Sequence, residues 1–237
     1  MKKNILYSML FAVAAFMLTS CGDDESAGKS RITYYPTIEL QGGNPYLVAK
    51  GSTWKEPGFT SFMGGEDVSS LVTITGTVNT AESGDYTLNY ATAKNDDGFS
   101  SSTSRRVIVA DADDPIEGLY WVDKKSYRLS GGKEGEYPSS FPVIIFNNGD
   151  GTYSVDDLLG GWYYYGRSYG IDYAMGANIT VADDGVVTIN EAGVPGWGDS
   201  YDAYNITFDK ESGTFTMTVT YAAMDFVQTW VKQQVEK

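Results

Sequence analysis

The chain is 237 residues long, with 31 acidic against 17 basic side chains, a net charge of −14, a single cysteine and no histidine. A surface this acidic repels phosphate backbones and anionic lipid, which excludes nucleic acid as a partner and favours neutral or cationic ligands. Without histidine there is no Ser-His-Asp or Cys-His nucleophile, and one cysteine supports neither a disulfide framework nor a cysteine zinc site.

Lys2 and Lys3 precede an apolar run from Ile5 to Leu18, and small residues then lead to Cys21. The pattern predicts a secretion signal over residues 1–20, too short and wrongly flanked for a stable transmembrane helix. The segment holds two lysines and no acid, so its removal leaves the mature chain two charges more negative. Leu18-Thr19-Ser20-Cys21-Gly22 has the form of a bacterial lipobox, which makes Cys21 the lipidated residue and the mature N-terminus; the alternative is an ordinary cleaved signal with an incidental thiol. Several acyl chains would anchor the protein stably, at ~0.8 kcal/mol per buried CH₂. Residues 21–30 read as a lipidated tether, and Gly22 to Ser30 can reach ~30 Å when extended.

Asp23-Asp24-Glu25, just behind the cysteine, resembles the export signal of Bacteroidetes-type lipoproteins. That resemblance implies an outer-membrane, lipid-anchored protein facing the cell exterior. A solvated tether is the plainer reading.

Residues 31–110 read as short antiparallel strands. Tyr86, Leu88 and Tyr90 alternate with Thr87, Asn89 and Ala91, the period of a half-buried strand, and Asn95-Asp96-Asp97-Gly98 turns the chain back. Pro57-Gly58 supplies a fixed φ followed by a permissive one, as a turn requires. The motifs Lys55-Glu56-Pro57-Gly58-Phe59, Gly84-Asp85-Tyr86-Thr87-Leu88-Asn89-Tyr90 and Arg106-Val107-Ile108-Val109 resemble the bacterial immunoglobulin-like repeat of surface proteins. The resemblance implies a sandwich acting as a spacer, with Tyr86 in the tyrosine-corner position. The acidic, proline-closed segment 111–115 is the expected linker.

Residues 116–237 hold twelve of the eighteen tyrosines and four of the five tryptophans. Thr214 to Tyr221 alternates throughout, with Phe, Met, Val and Tyr on one face and four threonines on the other. Turn signals recur at Asn148-Gly149-Asp150-Gly151, Asp183-Asp184-Gly185 and Asp209 to Gly213. The expected fold is all-β, an immunoglobulin-like sandwich followed by an antiparallel β-barrel or curled sandwich. Asp150-Gly151-Thr152-Tyr153 and Asp157-Leu158-Leu159-Gly160-Gly161-Trp162-Tyr163 resemble the C-terminal domain of Bacteroidetes lipoproteins that accompany starch-utilisation-type outer-membrane transporters. This implies surface glycan capture, with the transporter and its companion lipoproteins as further partners.

Gly160 to Tyr173 packs Trp162, Tyr163, Tyr164, Tyr165, Tyr169 and Tyr173 into one stretch, and Trp197 sits in a glycine-rich loop. If Leu159 to Tyr165 is a strand, Trp162 and Tyr164 face one way, and Tyr163 and Tyr165 the other. One pair can fill the interior; the other must meet solvent, a loop or a partner. The ligand-binding set expected for oligosaccharide is Trp162, Tyr164, Tyr165, Tyr169, Tyr173 and Trp197 for stacking, with Arg167 and Asp199 orienting hydroxyls. The competing reading is core packing of the same rings. Tyr, Trp and Arg also suit a protein-docking surface. Asp156, Asp157, Asp172, Asp199 and Asp202 are raw material for a carboxylate glycosidase, but any acidic loop supplies as much. Asn147 to Gly151 offers oxygens for calcium, yet its spacing lacks the EF-hand pattern and reads better as a hairpin. No cofactor, metal site or catalytic residue is expected.

Overall fold

Period-2 patterning dominates the chain, and the computed structural model accordingly holds 49% strand and 5% helix. It describes residues 32–235. The secretion signal, Cys21 and the acidic tether lie outside the described residues. From Pro36 onward the chain forms one compact unit.

The first half contributes β1 (Thr37–Leu40), β2 (Tyr46–Ala49), β3 (Phe59–Met63), β4 (Glu66–Asp67), β5 (Val72–Thr75), β6 (Gly84–Thr92) and β7 (Ser102–Ala110). They make two sheets, β1-β3-β4 and β2-β7-β6-β5, with β2 parallel to β7. Leu88 and Tyr90 of β6 turn inward as their alternation requires and pack with Val48, Val107 and Val109. The Tyr86 hydroxyl donates to the Glu82 carbonyl at 3.1 Å, which is the tyrosine-corner contact. The Glu-Pro-Gly turn has a second use. Glu56 accepts from the fully buried Arg105 and from Tyr90, and the Gly58 carbonyl also accepts from Arg105.

The second half contributes β8 (Gly118–Val122), β9 (Tyr127–Ser130), β10 (Lys133–Glu136), β11 (Pro142–Asn147), β12 (Tyr153–Val155), β13 (Gly176–Val181), β14 (Val187–Gly193), β15 (Ala203–Asp209), β16 (Thr214–Tyr221) and β17 (Met224–Lys232). These ten strands form one antiparallel sheet. The nine-residue β17 pairs along one edge with β16 and along the other with β9 and then β8. The sheet curls until β15 meets the far end at a bridge between Val186 and Thr207. There the Phe208 N–H donates to the Gly185 carbonyl at 2.8 Å. A Cβ on Gly185 would collide with the Phe208 carbonyl, so this closure needs glycine. Phe215, Met217, Val219 and Tyr221 are buried on the concave side, where Tyr120, Phe226 and Trp230 join them.

The acidic segment at the seam is a knotted turn. Asp114 accepts from the N–H groups of Ile116 and Glu117, and the buried Glu117 accepts from those of Asp111 and Asn147. Ile108, Leu119 and Ile144 form a small buried core shared by the two halves. Arg106 of β7 crosses the same boundary, bonding Asp85 on one side and donating to the Tyr165 hydroxyl at 2.7 Å on the other.

Candidate functional site

The segment from Leu159 to Tyr165 is not a strand but a tight turn followed by one π-helical turn, Trp162–Gly166. The N–H groups of both Tyr165 and Gly166 donate to the Gly161 carbonyl. Two features forbid extended backbone here. Gly160 and Gly161 both adopt positive φ, 59° and 78°, a region costly for other residues. In addition, the Asp157 carboxylate accepts from the N–H groups of Leu159, Gly161 and Met175 at 2.9–3.0 Å. The Asp-x-x-Gly-Gly pattern is therefore a backbone organiser that ties this turn to the chain entering β13.

The turn sorts the rings differently from an alternating strand. Trp162 and Tyr163 go inward together. Trp162 is only 2% exposed, which corrects its expected place on a stacking platform: it is core, edge-on to Tyr137 and Phe226. Tyr164 and Tyr165 stack on each other at 3.9 Å, and Tyr165 stacks on Phe141. With Arg106 on its hydroxyl, Tyr165 belongs to the seam between the two halves. Arg167 lies 5.1 Å from the Trp162 ring centroid.

The remaining expected residues do come together. Trp197 and Tyr169 are 43% and 53% exposed. Their rings, with that of the half-buried Tyr173, are mutually in contact at 4.8–6.2 Å. Beneath them lie two rings that sequence reasoning did not assign to the site. Tyr163 meets Trp197 edge-on at 4.8 Å, and Tyr221 stacks on it at 6.1 Å. Burial and the neighbouring Asp199 carboxylate push the Tyr221 phenol up, so it stays protonated and donates to Asp199 Oδ1 at 2.7 Å. Tyr221 was legible as the inward end of the alternating β16, but its contact with a loop twenty-four residues earlier in sequence was not.

The Trp197 loop is pinned. Val194 pairs with Asp199 across its base, the N–H groups of Trp197 and Gly198 return to the Val194 carbonyl, and the Gly196 N–H donates to the Asp172 carbonyl at 2.7 Å. On the other side of the loop an open groove of about 690 Å³ runs over β13 and β14, lined by Asn178, Glu191, Val194, Asp199 and Ser200 among others. Asp199 thus stands between groove and rings. The assembly presents flat apolar surface beside carboxylate, amide and hydroxyl groups.

Two of the other acidic candidates, Asp156 and Asp157, have structural partners, whereas the Asp172 and Asp202 side chains are exposed. Both Asp157 oxygens are occupied by backbone N–H groups, and Asp156 accepts from the Ile144 N–H while standing 4.0 Å from Arg106. In the Asn147 to Gly151 hairpin the side-chain oxygens accept from the turn's own N–H groups. Among the described residues, no group of three or more Asp, Glu, His or Cys side chains could hold a metal ion.

Comparison with known proteins agrees with this architecture. A family model described as a bacterial surface protein, Ig-like domain, matches residues 38–109, and a C-terminal domain model matches residues 109–232. The crystal structure of the lipoprotein BT2262 from Bacteroides thetaiotaomicron is 37% identical with a TM-score of 0.70, over 84% of this chain and 100% of that one. The chain belongs to the BT2262-like family. Its kinship is with bacterial surface lipoproteins, which points to the cell surface. A second structure, CBM51-2 in complex with GlcNAc and INT domains from Clostridium perfringens ZmpB, is 14% identical over 84% of this chain and 48% of that one. Its TM-score of 0.28 carries no argument. No curated protein matches the chain.

Proposed function

We propose that this BT2262-like protein is a non-catalytic outer-membrane lipoprotein, anchored through Cys21 and facing the exterior, that binds oligo- or polysaccharide for capture and uptake. The immunoglobulin-like half holds the binding half away from the membrane. The observation that supports the reading is the ring cluster of Trp197, Tyr169 and Tyr173, with two members substantially bare and Asp199 leading from it into the groove. Indole and phenol faces suit the C–H faces of pyranose rings, and aromatic residues with a polar handle serve sites that are half apolar and half wet. A binding role is favoured over a catalytic one because, of the candidate carboxylates, Asp156 and Asp157 hold backbone and Asp199 is engaged by the Tyr221 hydroxyl.

Calorimetry of the purified protein against a panel of polysaccharides tests this. Binding that weakens roughly tenfold or more in Trp197→Ala, a loss of the size seen at interface anchors, with the fold retained, is the expected result. Reducing ends released over time would replace the proposal with a glycosidase. Silence across the panel, together with co-purification of an outer-membrane protein, would replace it with a docking role.

A further inference from the structure

The neighbourhood of Trp162 contradicts the charge of the whole chain. Four arginines lie among the described residues, and two of them, Arg105 and Arg106, are paired with carboxylates. The other two, Arg128 and Arg167, have no carboxylate oxygen within 4.0 Å among the described residues. Both stand over the same indole, with guanidinium carbons 4.8 and 5.1 Å from the Trp162 ring centroid. Arg128 also lies against the Tyr163 hydroxyl. Each guanidinium is held by the indole face, a favourable contact, but in a protein with 31 acidic side chains neither has a carboxylate partner within 4.0 Å among the described residues, which leaves their charge open to an anion.

Hydrogen bonding points the same way. Arg128 Nε and Trp162 Nε1 are buried and have no partner, so donors outnumber acceptors around the ring. Arg167 is exposed and Arg128 half-buried, so the pair is open to solvent from the Arg167 side. Tyr163 connects this pair to the ring cluster: its hydroxyl meets Arg128, and its ring stacks on Tyr169 and meets Trp197 edge-on.

We propose that Arg128 and Arg167 form an anion-accepting subsite at the edge of the aromatic cluster, selecting glycans that carry a carboxylate or sulfate group. Planar guanidinium groups suit both oxyanions through paired N–H donors. The proposal rests on the glycan-binding reading and specifies its substrate class. It also reverses, locally, the preference for neutral ligands that the overall charge implies.

The test compares polygalacturonate with its fully methyl-esterified form, and dextran sulfate with dextran, by calorimetry on the purified protein. The expected result is binding of one charged polymer about tenfold or more tighter than its neutral counterpart, the size of a single charge-assisted contact. The polymer that shows the preference identifies carboxylate or sulfate as the group. Arg167→Gln should abolish that preference with the fold retained, lowering affinity for the charged polymer far more than for its neutral counterpart, and Arg167→Lys should restore part of it. Equal affinity for charged and neutral partners overturns the subsite and leaves the aromatic platform standing. Charged binding lost in Arg167→Gln but intact in Trp197→Ala supports the subsite and overturns the platform. Failure of all four polymers to bind overturns the subsite, while the platform stands or falls on the wider polysaccharide panel.

Discussion

Arg105 donates from Nη2 to Glu56 Oε1 at 3.0 Å while its own side chain is completely buried. The remaining donors are also used, with Nη1 on the Gly43 carbonyl and Nε on the Tyr90 hydroxyl. A buried charge of this kind tolerates replacement of the whole pair better than loss of one partner. Glu56→Ala is therefore expected to destabilise the protein by about 3–5 kcal/mol. Replacing Arg105 with Met in the same chain should recover a large part of that loss. Chemical denaturation of the single and double variants measures both, and a double variant no more stable than Glu56→Ala would refute the account.

A second expectation concerns pH. Burial is the main cause that lifts the carboxyls of Asp156 and Asp157, to about 7 and about 6, against the opposing pull of their backbone N–H donors. An unfolded aspartate titrates near 3.9, so between about pH 4 and these values the folded chain holds protons that the unfolded chain has released. The contribution of this pair is fully present below about pH 4 and is lost as pH rises through 6 and 7. The slope is at most about 1.4 kcal/mol per pH unit for each carboxyl. Urea midpoints should thus be higher at about pH 5 than at about pH 8. Asp156→Asn, whose amide oxygen can still accept from Ile144, should flatten the upper part of the profile. An unchanged slope in that variant would show that other groups set it.

Much of the fold was legible in sequence because strand alternation is a local signal. Thr214 to Tyr221 buries the four residues its period selects, and Tyr86 makes the corner contact its position implies. The ring stretch was not legible in the same way. Whether Trp162 faces inward depends on two left-handed glycines and on Asp157 reaching Met175, eighteen residues away, and neither leaves a periodic trace. Trp197, Tyr169, Tyr173 and Asp199 were singled out from residue type and loop composition. Their supports, Tyr163 and Tyr221, and the lone cations, Arg128 and Arg167, become a group only through the curl of the sheet. Net charge describes the surface as a whole and carries no signal of where two arginines gather.

The β16–β17 hairpin carries a local conflict that mutation can relieve. Tyr221 pairs with Met224, which leaves a two-residue loop of Ala222 and Ala223 with φ of 51° and 58°. Both central residues of such a turn need positive φ, where alanine is disfavoured and Asn-Gly is the preferred pair. The double change Ala222→Asn with Ala223→Gly is expected to stabilise the protein by about 1 kcal/mol, which for a chain of this size raises Tm by roughly 2–4 °C. Calorimetric melting checks it. An unchanged or lower Tm would mean that the loop is not strained in solution.

The Trp197 loop offers a test of the site that removes none of its rings. A Cβ on Gly196 would come within 2.8 Å of Tyr173 Cε1 and 3.0 Å of the Asp172 carbonyl, whereas one on Gly198 would meet nothing within 4 Å. Gly196→Ala must therefore push the loop away from Tyr173, separating rings that now stand 4.8 Å apart, and overpacking of this kind costs about 1–3 kcal/mol. Gly198→Ala has room but strains a φ of 71°, so it is expected to lower stability modestly without moving the indole. If the ring cluster is the binding platform, Gly196→Ala should weaken glycan affinity several-fold at most temperatures below its melting point, and Gly198→Ala should weaken it much less. Equal affinities for the two variants would show that binding does not depend on how Trp197 is held against Tyr173.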